Sequence, residues 1–223
     1  MPKRPNSAET AYQHIRGAVL AGSYPPGSRI KEEILAESIG VSRTPIREAL
    51  RRLHSEGVVR MIPNRGAHVM SFSDEELEEL FALRADLDGY AAGLAASKIT
   101  EEHVDQLSSM VDEMHVVAAK RGTGWLERLA DLDRDLHQGV FESTENGALV
   151  KIASSFREIP GVLKTFDLYT EEQLDRSHRH HREIVDALRA GNPGWAEAIS
   201  RAHVMAAREI LYRPEDGETV KLG

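Results

Sequence analysis

Asp133 and His137 stand four residues apart in the segment WLERLADLDRDLHQGVFES, an interval that puts both side chains on one patch of a helix. Two further histidines lie almost symmetrically about a turn. His181 comes 10 residues before Gly191 and His203 comes 9 after Gly194, on either side of Gly191-Asn192-Pro193-Gly194. If the flanking segments are helices folded back on each other, the two imidazoles stand at nearly the same height, offset by roughly 1.5 Å at the helical rise per residue. One Asp and three His converging inside a bundle form a donor set suited to zinc, or to nickel or another first-row divalent ion. The plainer account is an Asp–His ion pair and two hydrogen-bonded core histidines. Spacing alone leaves both open.

A second constellation lies near the N-terminus. In GVSRTPIREALRRL, residues 40–53, Ile46, Leu50 and Leu53 form an apolar stripe and leave Ser42, Arg43, Thr44 and Arg47 at the exposed start of a helix. Arginines at the start of such a helix reach guanine edges in the major groove, and hydroxyls with the helix N-terminus suit phosphate. Arg65 and Gly66, in the turn Pro63-Asn64-Arg65-Gly66, are placed to enter the minor groove or hold the backbone. The competing account is a solvated basic face in which Glu48 pairs with Arg51 or Arg52.

The elements that must position these groups can be read along the chain. Helices are expected over about 8–21, 31–38 and 42–56, with a short strand at 28–30 and a hairpin at 58–62 and 67–70. Helix, turn, helix and hairpin, in that order, make a winged helix-turn-helix. From Ser73 the texture changes. Ser73-Asp74-Glu75-Glu76 is a capping box opening a helix to about 97, Thr100 caps another to about 120, and helices follow over 125–143, from 147 to near Pro160, and over 171–190 and 194–212. The fold class expected is mainly α: a winged helix-turn-helix of three helices plus a β-hairpin wing, then an all-α antiparallel bundle of about six helices. The domains expected are 1–71 for DNA binding, 72–213 for ligand and metal binding and dimerisation, and 214–223 as a flexible tail.

Composition fits that division. The net charge is -8, but residues 1–70 hold 11 Lys and Arg against 6 Asp and Glu, a balance of +5, and the remainder carries -13. A basic module for a polyanion and an acidic one for something else is the natural reading. Cysteine is absent, which excludes disulfide scaffolds and thiol catalysis and permits a reducing cytoplasm. The N-terminal residues have no apolar stretch behind their basic ones, so no signal peptide is expected, and the expected location is cytoplasmic.

The motifs YPPGSRI, LAESIGVSRTPIREALRRLHSEGVV and PNRGAHV resemble the GntR family of bacterial regulators over residues 8–70. That resemblance implies that Ser42, Arg43, Thr44 and Arg47 carry the principal DNA contacts, with Arg65 and Gly66 in the wing. Glu33 departs from it, since some relatives place a basic, DNA-contacting residue about there. LRADLDGYAAGLAA, DRDLHQGVFESTENGALVKI and HREIVDALRAGNPGWAEAISRAHV resemble the FCD domain of the FadR subfamily. In metal-binding members the ligand positions match Asp133, His137, His181 and His203. Three neutral ligands leave coordination positions open to water or a carboxylate.

Inward-facing polar residues complete the list. The helix over 74–97 is read with Leu77, Leu80, Leu87, Ala91 and Leu94 inward, and Arg84 shares their stripe with Asp88 four residues on. Arg84 and His178 are therefore expected at an effector site, with Asp88 as the plainer partner of Arg84. His180, His54 and His103 are read as facing solvent. The function expected is a homodimeric transcription regulator, more naturally a repressor than an activator and not an enzyme. It would bind a pseudo-palindromic operator in double-stranded DNA under control of a small carboxylate held at the metal. A metal-dependent hydrolase with an accessory DNA-binding domain, and a regulator with a purely structural metal, remain alternatives.

Overall fold

The computed structural model describes residues 7–20, 22–157 and 169–211. The expected tail at 214–223 and the end of the helix near Pro160 lie outside them. The chain divides into two compact units, one running to Phe72 and one starting at Ser73.

In the first unit α1 (Ser7–Leu20), α2 (Glu32–Ile39) and α3 (Arg43–Ser55) pack with β1 (Arg29–Ile30), β2 (Val59–Ile62) and β3 (Gly66–Val69). The strands form one antiparallel sheet in the order β1-β3-β2, so the expected hairpin gains the short first strand as a third member. Strand alternation sends Ile30, Val59, Ala67 and Val69 into the core, together with Ile15, Leu35, Ile46, Leu50 and Leu53 from the helices. Gly40 makes the sharp turn between α2 and α3. Its φ of 74° is left-handed, and its N–H donates back to the Ala36 carbonyl.

The second unit is all helical: α4 (Asp74–Ala96), α5 (Glu101–Lys120), α6 (Trp125–Glu142), α7 (Gly147–Arg157), α8 (Glu171–Arg189) and α9 (Pro193–Leu211). Ser73 and Glu76 form the expected capping box, and Thr100 accepts from the His103 N–H. Thr170 and Gln173 form a second box at the start of α8. One aliphatic core joins α4, α5, α6, α8 and α9, and a smaller cluster of Ala91, Phe141, Leu149 and Ala153 seats α7.

The inward face of α4 differs from the sequence expectation. Leu77 and Ala91 are buried, but Leu80, Leu87 and Leu94 lie at its edge, and Phe81, Ala85, Asp88 and Ala92 fill the middle. Small residues make this possible. A Cβ on Gly89 would stand 2.7 Å from Arg201 Cγ and 3.1 Å from the Glu197 carbonyl, so α9 lies against bare α4 backbone there. The turn between α8 and α9 is pinned by Asn192, whose side chain accepts from the Trp195 N–H at 3.1 Å, and by the Trp195 indole donating to Glu183 at 2.9 Å. That turn folds α9 back along α8.

Candidate metal centre and nucleic-acid interface

The first unit presents its chemistry outward. Ser42 is the extended residue before α3, and its hydroxyl makes no cap to its own helix. Ser42, Arg43, Thr44 and Arg47 are exposed, while Ile46, Ala49, Leu50 and Leu53 hold the other face of α3 in the core. The neighbouring helix meets both arginines: Arg43 pairs with Glu33 at 3.1 Å and Arg47 with Glu32 at 2.8 Å. A hydrogen bond from its own backbone N–H, followed by the charge of Arg43, holds the exposed Glu33 carboxyl below its usual value. Arg52 has a different task from Arg43 and Arg47. It stacks 3.6 Å over the Tyr12 ring and bonds Glu9 and Glu56, so in place of the Glu48 pairing of the competing account, a solvated basic face, it braces α1 against α3.

Arg65 is exposed in the turn of the wing, and Gly66, at φ 84°, opens β3. Arg29 and Arg60 escape a sequence reading because their strands are short. Both flank His68 across the sheet, on the face opposite the core. Only the strand register, which the sequence does not state, reveals that row.

The second unit turns its chemistry inward. Asp133 and His137 come from α6, His181 from α8 and His203 from α9. One donor atom from each lies within 4.8 Å of all the others. Asp133 Oδ1 is 3.1 Å from His181 Nε2 and 3.8 Å from His137 Nε2, and the Nε2 atoms of His181 and His203 are 3.2 Å apart. All three histidines are buried, and His137 Nε2 has no hydrogen-bond partner. Ligands around a tetrahedral ion with bonds of roughly 2.0–2.1 Å are separated by about 3.3 Å. The donor spacings bracket that value, and an orphaned buried nitrogen is what an ion would satisfy. The residues fit a metal ion.

Their electrostatics agree. Burial alone would raise the Asp133 carboxyl, but His137, His181 and Arg84 outweigh it and hold the group down to about 2. Burial pushes His137 down to about 4 despite Asp133 and Asp88, and carries His203 well below its ordinary value. These two rings are neutral at pH 7, the form that ligates. Tyr169 stands near the carboxylate: its phenol is raised by burial and then by the charge of Asp133.

The remaining candidates are distributed around this cluster. Arg84 is nearly buried and reaches Asp88 at 3.5 Å, its expected plainer partner. Asp88 also lies 3.5 Å from His137 Nδ1, a contact between α4 and α6 that no spacing within one helix could reveal. His178 does not join the four donors. It stands edge-on to His115, ring centroids 5.8 Å apart, and with His115 and Asp175 lines two adjoining hollows of about 420 and 600 Å³ beside α5 and α8. His180 is not turned to solvent as expected. It is half-buried, its ring 6.0 Å from that of His203, and burial lowers its pKa. His54 and His103 are exposed.

Known proteins resemble the chain along most of its length. Residues 7–69 match the model for bacterial regulatory proteins of the gntR family, and residues 79–206 match the FCD domain. A probable D-xylose utilization operon transcriptional repressor of Paenarthrobacter nicotinovorans is 30% identical, over 84% of this chain and 81% of that one. The Nta operon transcriptional regulator of Aminobacter aminovorans is also 30% identical, over 80% and 82%. Among solved structures, E. coli McbR/YncC shares the fold with a TM-score of 0.73 at 20% identity, covering 91% of this chain and 95% of that one.

Proposed function

The chain belongs to the gntR family of bacterial regulatory proteins and carries the FCD domain, and from that premise we propose that it is an operator-binding regulator controlled by a small organic acid. The acid would be held at a divalent ion, most naturally zinc, in the helical unit. The observation that carries this reading is the inward convergence of Asp133, His137, His181 and His203. Those four residues would hold the ion, which when bound supplies open coordination positions to a carboxylate.

Charge supports an anionic effector. With imidazoles in the neutral form that ligation requires, Asp133, Asp88 and Arg84 leave the cluster with one excess negative charge. A divalent ion reverses that to one excess positive charge, which a monocarboxylate would cancel in a site of low dielectric. Arg84 is engaged by Asp88, so it acts on an acid through its field. A contact from His178 belongs to a ligand that occupies the hollows beside α5 and α8.

On the DNA side, Arg43, Thr44 and Arg47 would read bases, Ser42 and the start of α3 would take phosphate, and Arg65 with Gly66 would approach the minor groove. To do so, Arg43 and Arg47 exchange Glu33 and Glu32 for DNA. A homodimer on a pseudo-palindromic operator is the assembly that fits, and repression released by the acid is the favoured sense. It matches the repressor named among the relatives. Hydrolysis is disfavoured by Asp88. The other carboxylate buried beside the donors among the described residues, it lies between Arg84 and His137 rather than free to act as a base.

The test is a thermal-shift screen of small organic acids on zinc-loaded protein, followed by binding to DNA from the gene's own upstream region. Stabilising acids should change operator affinity several-fold. Stabilisation with no effect on DNA binding would favour a structural metal, and no binding to upstream DNA at low salt would sink the regulator reading.

A further inference from the structure

α4 gives the cluster no ligand, yet it places a carboxylate behind one. Asp88 is 5% exposed, and its Oδ2 lies 3.5 Å from His137 Nδ1 and 3.5 Å from Arg84 Nε, with no closer hydrogen-bond partner. A shift of about half an ångström closes either gap to a hydrogen bond. On the opposite side of the same imidazole, Nε2 is the atom that faces Asp133. A neutral imidazole carries one N–H, and its position decides which nitrogen keeps a lone pair. A carboxylate beside Nδ1 draws the proton there.

We propose that Asp88 is a positioning residue for the metal centre: it takes the Nδ1–H of His137 and so leaves the Nε2 lone pair directed at the other three donors. Arg84, alongside it in a nearly buried setting, offsets the charge of that carboxylate. The role rests on the metal reading above. It also explains why an aspartate occupies the middle of an apolar helix face between Ala85 and Ala92, where a buried charge without such a task is costly.

Two measurements on the full chain test it. Nitrogen-15 NMR of the imidazoles, in zinc-free protein at neutral pH, reads the tautomer of His137. Zinc affinity is read by competition with a coloured chelator. Wild-type protein should hold His137 as the Nδ1–H tautomer. Asp88→Ala should lose that preference and bind zinc roughly 10–100-fold more weakly. Asp88→Asn keeps an acceptor oxygen and nearly the same volume, so it should fall between the two, and it supplies both readouts if the alanine variant does not fold. An unchanged tautomer and a zinc affinity within about twofold of wild type would overturn the role of Asp88. Zinc uptake abolished by His181→Ala but indifferent to Asp88→Ala overturns Asp88 alone. Wild-type protein that takes up no zinc overturns the metal reading, and this role with it.

Discussion

The two units bury different kinds of side chain. Among the described residues the winged unit buries only hydrophobic side chains, and its arginines lie outside. The helical unit buries Asp88, His137, His181 and His203 with four hydroxyl side chains, and gathers the ionisable ones in one place. A core of hydrophobic side chains alone suits a rigid body that offers a fixed surface to a long polyanion. Buried ionisable groups suit a unit whose stability answers to what it binds, because each is poorly satisfied until a partner arrives. The lesson is that the burial of polar groups, more than the overall charge, separates the two units: one holds its polar groups on its surface and the other draws a set of them inside.

The sharpest way to break that contrast is to fill or spoil the centre. Zinc at a thousandfold excess over its Kd should stabilise the helical unit by about 4 kcal/mol, and His203→Ala should abolish the gain. Calorimetry should show the winged unit's transition unmoved, and a shift in both units would contradict the division. The next effect is acid sensitivity in the metal-free protein. Because burial depresses His137 to about 4 in the fold, the unfolded chain binds its proton first. Its contribution is therefore intact above about pH 6.5 and lost as pH falls to about 4, a cost of roughly 3 kcal/mol. Asp133, depressed to about 2, adds a further loss below its unfolded value. Melting of the helical unit as a function of pH checks the sign, and stability that rises on acidification would refute it. Smallest is the surface term. Arg43→Ala or Arg47→Ala should each weaken operator binding by about 1–3 kcal/mol and relax base preference at one position, with melting and zinc uptake unchanged. Gel-shift titrations against operator variants would show it.

How much of this was legible in the sequence depended on whether a relation was local. Asp133 and His137 share a helix, and His181 and His203 flank one turn, so counting paired each with its neighbour, and the resemblance to the FCD domain joined the two pairs. The order of elements in the winged unit followed from Gly40, Pro45 and the apolar stripe of α3 in the same way. Asp88 is different. Its place beside His137 depends on how α4 packs on α6, and sequence spacing showed only Arg84 four residues away. The face of α4 was read from its leucines, whereas alanines and glycine bring the helices together and carry little weight in a hydrophobic pattern. His180 was assigned to solvent for a related reason, since the packing of α9 over it follows from the turn geometry. His178 shares a stripe with His181, but a helix of this width separates their surroundings.

The bare backbone at Gly89 has a bearing on how such a centre could diverge. Arg201, which a Cβ at position 89 would strike, lies two residues before His203, and Asp88 is the immediate neighbour of the glycine. α4 supplies no donor, so its distance from α9 bears on the centre only through the helix that carries His203. A single methyl group at position 89 would press on α9 without touching a ligand, so a lineage could alter the setting of His203 while its ligand signature stayed intact.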